Sequence, residues 1–189
     1  MKFGINNYEP NFYKSSSEII QSFSSQLLRL KEQHIINIYA MWDKINEEWN
    51  DDAPIILEFT AFNLEVCNYK LEELALSINL INIHQEIEKY DFEEFGKFEY
   101  EWRKRPEEVL KFNRATIISM EIIEYKFEST LIASQSVTEE IGQTTSNWIL
   151  NGIGFITSKG YFSICNGLDT NRISHFREEG DYLRYIKVF

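Results

Sequence analysis

Apolar positions along the chain change their period several times, and each change marks an element. Ile20, Phe23, Leu27 and Leu30 recur at helical spacing, which lines one helix face for burial. Ser15 stands three residues ahead of Glu18, a spacing that lets side chains and backbone N–H groups cap a helix start. A helix is therefore predicted from Ser15, ending within residues 28–32. From His34 the pattern turns β-branched and aromatic: His34-Ile35-Ile36-Asn37-Ile38-Tyr39-Ala40-Met41-Trp42 favours a strand. Pro54 opens the next apolar run, residues 55–59, where a missing N–H is tolerable. Phe62, Leu64 and Val66 alternate with Asn63 and Glu65, and Leu74, Leu76, Ile78 and Leu80 alternate likewise. Period two places such residues on one face of a strand. The links between these strands are too short for parallel crossovers, so residues 34–83 are predicted to form an antiparallel meander.

Residues 84–108 follow no single period. Ile87, Asp91, Glu94 and Phe98 share a helical face, whereas Phe98, Tyr100 and Trp102 share a strand face. Pro106 breaks whatever precedes it, and the segment reads as a connection. Beyond it, Asn113-Arg114-Ala115 forms a tight turn and the isoleucine-rich residues 116–125 a strand. Further strands are predicted over 148–156, 161–165 and 182–188, with turns at Lys159-Gly160 and Asn166-Gly167. The Ser/Thr/Gln-rich stretch 128–147 reads as a long loop, an insertion relative to the first half.

The order of parts occurs twice. Leu28 matches Leu110, Leu30 matches Phe112, Ile35 matches Ile117, Ile36 matches Ile118 and Ile38 matches Met120, all at one offset. At a second offset Leu64 matches Phe162, Val66 matches Ile164, Cys67 matches Cys165 and Asn68 matches Asn166. Any two amphipathic meanders share an apolar alphabet, but here the order repeats as well. Two copies are too few for a solenoid; a pair of halves covering each other's apolar face is the better model. The predicted class is α+β, with mainly antiparallel β meanders in two pseudo-repeated halves and an N-terminal helix. One domain would span residues 1–189, with a first half at 15–83, a connection at 84–108 and a second half at 109–189.

Composition narrows the class of function. At 43% hydrophobic and 15% aromatic, the chain has enough apolar material for a packed interior, against intrinsic disorder. Its net charge of -11 lacks the basic footprint that nucleic acid and anionic membranes require, so neither is an expected partner. A basic protein suits it, although acidity also serves solubility alone. Residues 1–10 lack an apolar signal region, and no apolar run approaches the length of a membrane span. The expected location is cytoplasmic, where Cys67 and Cys165 would be small buried thiols rather than a disulfide. Exposed strand edges would favour a homodimer.

Candidate chemistry is sparse. His34, His84 and His175 each stand alone, and no HExxH, GxSxG, GxGxxG or Walker pattern occurs. No catalytic residue, metal site or cofactor is therefore assigned. The glycines of Asn151-Gly152-Ile153-Gly154 read as bulges and turns. Asp43, Glu47, Glu48, Asp51 and Asp52 surround Trp49 without the ligand pattern or central glycine of an EF-hand. They read either as a solvated loop or as a partner-binding surface. In the second case Glu47, Glu48, Asp51 and Asp52 would ring an exposed Trp49 anchor for a basic protein. The acidic stretch 86–101 could share that face. The alternative is a small-molecule-binding domain or enzyme with a pocket between the halves, using Asn68, Asn166, Asp169 and His175.

One stretch is motif-like: Trp148-Ile149-Leu150-Asn151-Gly152-Ile153-Gly154-Phe155, then Gly160, then Ile164-Cys165-Asn166-Gly167-Leu168-Asp169-x-Asn171. Its Asn-Gly and Asp-x-Asn steps favour positive φ and side chain-to-backbone bonds. With residues 52–59 it resembles uncharacterised small bacterial proteins akin to the acidic immunity proteins that travel with secreted toxins. The resemblance implies a cytosolic protein that binds a toxin domain and blocks it, and it brings no catalytic residues.

Overall fold

The computed structural model describes residues 3–92, 96–104, 107–132 and 141–189. A short strand, β1 (Asn11–Tyr13), leads into helix α1 (Ser16–Leu27), which tightens into a 3-10 turn at Leu28–Leu30. Ser15 caps the helix by accepting the Glu18 N–H at 3.2 Å, and Glu18 reaches back to the Lys14 N–H at 2.7 Å. The helix buries Ile19, Phe23 and Leu27, and Leu30 completes the stripe. Ile20, expected in that stripe, is 40% exposed. The buried face starts one residue earlier and runs in steps of four, the closer approximation to one side of a helix.

The first sheet contains β2 (Asn37–Asp43), β3 (Glu48–Trp49), β4 (Ile55–Glu58), β5 (Asn63–Tyr69) and β6 (Glu73–Ile78). They lie in the order β1-β6-β5-β4-β2-β3, all antiparallel. The expected alternation through Leu80 stops short, because β6 ends at Ile78 and Asn79 takes φ 57. Residues 84–108 do more than connect. β7 (Tyr90–Phe92) and β8 (Gly96–Phe98) form a small pair, and β9 (Tyr100–Arg103) adds to β2 with Met41 opposite Trp102. Pro106 lies outside the described residues.

After a 3-10 turn at Glu107–Phe112 come β10 (Ile117–Ile132), β11 (Ile141–Thr157), β12 (Gly160–Asn166), β13 (Asn171–Ser174) and β14 (Leu183–Lys187). Their order is β13-β12-β11-β10-β14. The loop expected over 128–147 is corrected here. Residues 128–132 and 141–147 are strand, paired from Glu128–Ser146 to Ile132–Ile141, while 133–140 lie outside the described residues. Ser129 and Thr145 hydrogen-bond across the ladder at 2.9 Å. The sequence reads as loop there because neither face needs apolar residues. The β12 pairing of β11 begins only at Gly152 and the β14 pairing of β10 ends at Tyr125, so the ribbon runs past its sheet neighbours. Hydroxyl pairs replace apolar ones in such a ladder.

The inner faces of the two sheets close on one another. Ile38, Leu57, Leu64, Val66 and Leu76 from the first meet Met120, Ile122, Ile153, Phe155, Phe162 and Ile164 from the second, with α1 supplying Ile19, Phe23 and Leu27. A smaller cluster covers the outer face of the first sheet, where Ile5 and Tyr8 of the N-terminal arm pack on Tyr39, Met41, Ile56, Ile81 and Ile87. Each sheet contains a four-strand meander, β2-β4-β5-β6 and β10-β11-β12-β13. The entries to the two meanders pair with each other, with Ile35 N–H on the Ala115 carbonyl and Ile117 N–H on the Gln33 carbonyl, both at 2.9 Å. This likeness is one of connectivity: β9 flanks β2 at Ala40–Asp43 as β14 flanks β10 at Glu121–Tyr125, while α1 and β1 have no counterpart among the described residues of the second half. Among the described residues no helix is long and apolar enough to cross a membrane.

The shared core gives a direct test. Phe155, fully buried between Phe162 and the first sheet, should cost about 4 kcal/mol when changed to alanine. Ile20→Ala, on the wet face of α1, should stay within about 1 kcal/mol. Urea unfolding of both variants measures the contrast.

Candidate functional site: an acidic rim at the junction of the sheets

The turn between β12 and β13 meets the loop before β4. Within the turn, Gly167 N–H bonds the Thr170 carbonyl and Asp169 N–H bonds Asn166 Oδ1, both at 2.9 Å. Leu168 and Asp169 sit at φ 67 and 74. Asn171 then joins the two sheets. Its own N–H donates to the Asp51 carbonyl at 2.8 Å, and its Nδ2 donates to the carbonyls of Asp51 and Ala53 at 2.9 Å each. Its Oδ1 accepts the Asn68 N–H at 2.8 Å and Asn68 Nδ2 at 3.1 Å. Asn68 and Asn171 are both buried, so these bonds are made away from water, where leaving them unmade costs most. Asn68 and Asn166 stand out in the sequence as matched positions. Asn171, the residue that carries the junction, is marked only by the Asp-x-Asn step.

Carboxylates crown this junction. Glu47, Glu48, Asp51 and Asp52 are all exposed, but they divide into two groups. Glu47 accepts from Arg103 at 3.2 Å and from Trp42 Nε1 at 3.4 Å, and Arg103 also holds Glu101. Lys44 and Lys89 both meet Glu99, the second at 3.2 Å. Part of the 86–101 stretch thus does flank the 43–49 hairpin, and its charge is largely neutralised there. Asp43 belongs to the turn itself. Burial pushes its carboxyl up, but bonds from the Ile45 N–H and from the backbone and side chain of Asn46 hold it below its usual value.

The second group is uncompensated. Among the described residues Glu48, Asp51, Asp52 and Asp169 form no ion pair. Asp52 is held above the usual carboxylate range by partial burial, then by the nearby charges of Asp51 and Asp169. Asp169, read from sequence as part of a separate pocket, therefore joins the rim. Trp49 is not the exposed anchor expected. Its ring packs against the main core, and its buried Nε1 has no hydrogen-bond partner among the described residues. The ring set among charged side chains is Trp42, with the Arg103 guanidinium 5.0 Å from its centroid. Its place on β2 opposite Trp49 is what brings it to the hairpin.

Of the four residues proposed for an inter-half pocket, Asn68, Asn166 and Asp169 meet at the Asn171 junction, but as bonded turn groups rather than as the lining of a cavity between the sheets. Asn68 is tied to Asn171, Asn166 Nδ2 to the Lys70 carbonyl, Asp169 stands on the rim, and the His175 ring lies 6.0 Å from that of Phe112. The space between the sheets is filled by the main core. Described clefts lie outside it, including one of about 260 Å³ beside Trp49, Asp51 and Ile173. No group of three His, Cys, Asp or Glu side chains able to hold a metal occurs among the described residues. Gly152, at φ 149, follows a bulge at Asn151, and a Cβ there would meet the Ile164 carbonyl at 2.1 Å.

Buried acids are handled in two ways. Glu121 is gripped by Arg177 at 2.9 and 3.3 Å, and Glu124 by Arg184 with the Ser16 N–H at 3.3 Å. Glu65, fully buried beneath the N-terminal arm, has only neutral donors: the Ser77 hydroxyl at 2.6 Å and the Ile81 N–H at 3.3 Å. Burial pushes its carboxyl above the usual range despite these bonds. Burial likewise pushes the Cys67 thiol up to about 12 and raises that of Cys165. Both cysteines are free and held as thiols, which makes them poor nucleophiles.

Fold and site together define an α+β protein of two packed antiparallel sheets with an acidic rim at one end of their junction. Comparison with protein-family models, with curated proteins and with solved structures finds no match.

Asn171→Ala should cost roughly 3 kcal/mol, since it strands both Asn68 donors and the Ala53 carbonyl while the Asp51 carbonyl keeps the backbone N–H of residue 171. Urea titration gives the loss, and amide exchange at Asn68 should quicken in the same variant. Glu65 predicts a pH effect. A raised carboxyl favours the protonated fold, so stability is full below its unfolded value of 4.5 and falls as pH rises towards the higher folded value. Glu65→Gln should therefore gain in melting temperature over the parent from about pH 4.5 upward. A difference that stays flat between pH 4 and 8 would show that Glu65 ionises freely.

Proposed function

We propose that this chain is an interaction protein that captures a basic protein on the rim formed by Glu48, Asp51, Asp52 and Asp169. The observation that carries this reading is the grouping of Asp51, Asp52 and Asp169, carboxylates from two sheets with no ion pair among the described residues. Like charges held together work against the fold, and the Asp52 carboxyl is raised first by partial burial and then by the charges of Asp51 and Asp169. Lysines or arginines of a partner would relieve it on binding. Long-range attraction would speed encounter and select against acidic competitors.

Within that class, the resemblance of residues 148–171 to immunity proteins favours a secreted toxin domain as the partner, blocked by occlusion in the cytoplasm. The Asn171 bonds hold the rim's two loops in fixed relation, which limits the ordering cost of binding. A small-molecule pocket between the halves has less support, because Asn68, Asn166 and Asp169 are bonded into the junction itself and the space between the sheets is packed.

The test takes as its probe any toxin domain encoded beside this gene, and the absence of such a gene counts against a toxin as the partner. Replacing Asp51, Asp52 and Asp169 together by lysine should slow association about a hundredfold at low salt. The parent's affinity should fall as salt rises. Unchanged binding by the triple variant, measured by surface plasmon resonance, would remove the rim from consideration.

A further inference from the structure

We propose that the outer flank of the second sheet is a groove for a positively charged amphipathic segment of the partner. This deepens, and rests on, the reading of the chain as a binder of a basic protein. A cleft of about 610 Å³ is walled by Leu71, Tyr125, Phe127, Ile149, Leu168 and Tyr182. A second, of about 590 Å³, shares Leu71, Phe127 and Ile149 with it, so one trough continues along the β10–β11 ribbon. Five of the six walling side chains are exposed. Single exposed apolar residues need no explanation, but a contiguous set marks a contact surface.

Leu168 is the sharpest sign. It is 80% exposed and sits at φ 67, a backbone region where glycine or asparagine is easier. Neither packing within the chain nor turn geometry calls for a leucine there. A local rule broken without structural gain points to function.

Charge decides the occupant. The cations at the groove are already engaged: Arg172 with Glu178 at 3.0 Å, and Lys14 and Lys70 with Glu73 at 3.3 and 3.7 Å. Glu72 beside Leu71, Asp169 beside Leu168, and Glu179 on the segment leading to Tyr182 have no ion pair among the described residues. An apolar trough with unpaired carboxylates at its borders complements a segment whose apolar face is flanked by lysine or arginine. Gly167 and Arg172 line both this groove and the cleft beside Trp49 and Asp51. The groove therefore opens onto the acidic rim, and one partner could engage both.

The probe is a fluorescein-labelled peptide of about 14 residues with leucines on one helical face and lysines on the other, titrated against the full chain by anisotropy. A scrambled peptide of identical composition carries the same charge without the apolar face. The patterned peptide should bind at least about tenfold tighter than the scrambled one. The double variant Leu168→Ser with Tyr182→Ser should remove that preference while keeping the parental melting temperature, since both side chains are exposed. Equal binding of the two peptides, or an undiminished preference in the double variant, overturns the groove. The toxin domain separates the two claims. If the rim variant loses the toxin and the groove variant binds it at the parental affinity, the groove falls and the rim reading stands. If the groove variant loses the toxin while the rim variant binds it at the parental affinity, the groove stands and the rim reading falls.

Discussion

The closure of two sheet faces on a single apolar core is the constraint on which the rest depends. Each sheet is antiparallel, and its inner face alone would leave a broad apolar surface in water. The inner face of the first sheet, from Ile38 to Leu76, has nowhere else to go, and the same holds for Met120 to Ile164 in the second. Burying both faces at once removes apolar area from water on both sides, the dominant favourable term in folding. The helix closes what the sheets leave open, with Ile19, Phe23 and Leu27 against the same cluster. Among the described residues this interior is packed with side chains, and clefts lie at the margins, where loops of one sheet meet loops of the other.

At those margins polar groups perform the joining. Asn171 uses its backbone N–H and its whole side chain on the opposite sheet, and Asn68 answers it from β5. A buried amide can bridge two backbones in this way because it presents a donor and an acceptor on one short stem. The consequence is electrostatic as well as structural. Pinning the 51–53 loop to the 166–171 turn brings Asp51 and Asp52 towards Asp169, which could otherwise separate. A packing requirement thus fixes a charge pattern, and that pattern is the chain's strongest indication of a partner.

The distribution of charge is uneven for a physical reason. Where acids are buried on β10, arginines 177 and 184 from the C-terminal segment cover them, because an unpaired carboxylate there would be too costly. Where acids stand nearer to water, at Glu47, Glu99 and Glu101, they find cations of their own. Among the described residues the rim and the groove borders lack them, as do scattered carboxylates such as Glu9, Glu32 and Glu86. Solvent screens these charges enough for the fold to tolerate them, yet a desolvating partner would feel them strongly.

The apolar periodicity by itself determined the class of fold, the helix and most strands, because period two and period 3.6 are local consequences of backbone geometry. It also placed Cys67, Cys165 and the glycines at 152 and 160 in structural roles. It misread what depends on neighbours. Trp49 reads as an exposed anchor, and only the packing of its hairpin turns the ring inward and leaves Trp42 under Arg103. Residues 128–147 read as a loop because a ribbon beyond its sheet needs no apolar face. Asn171 looks like one more turn residue until the first sheet supplies its partners. Local pattern specifies which residues want burial; which distant groups then meet, and which carboxylates are left without a cation, follows only once the two sheets have closed.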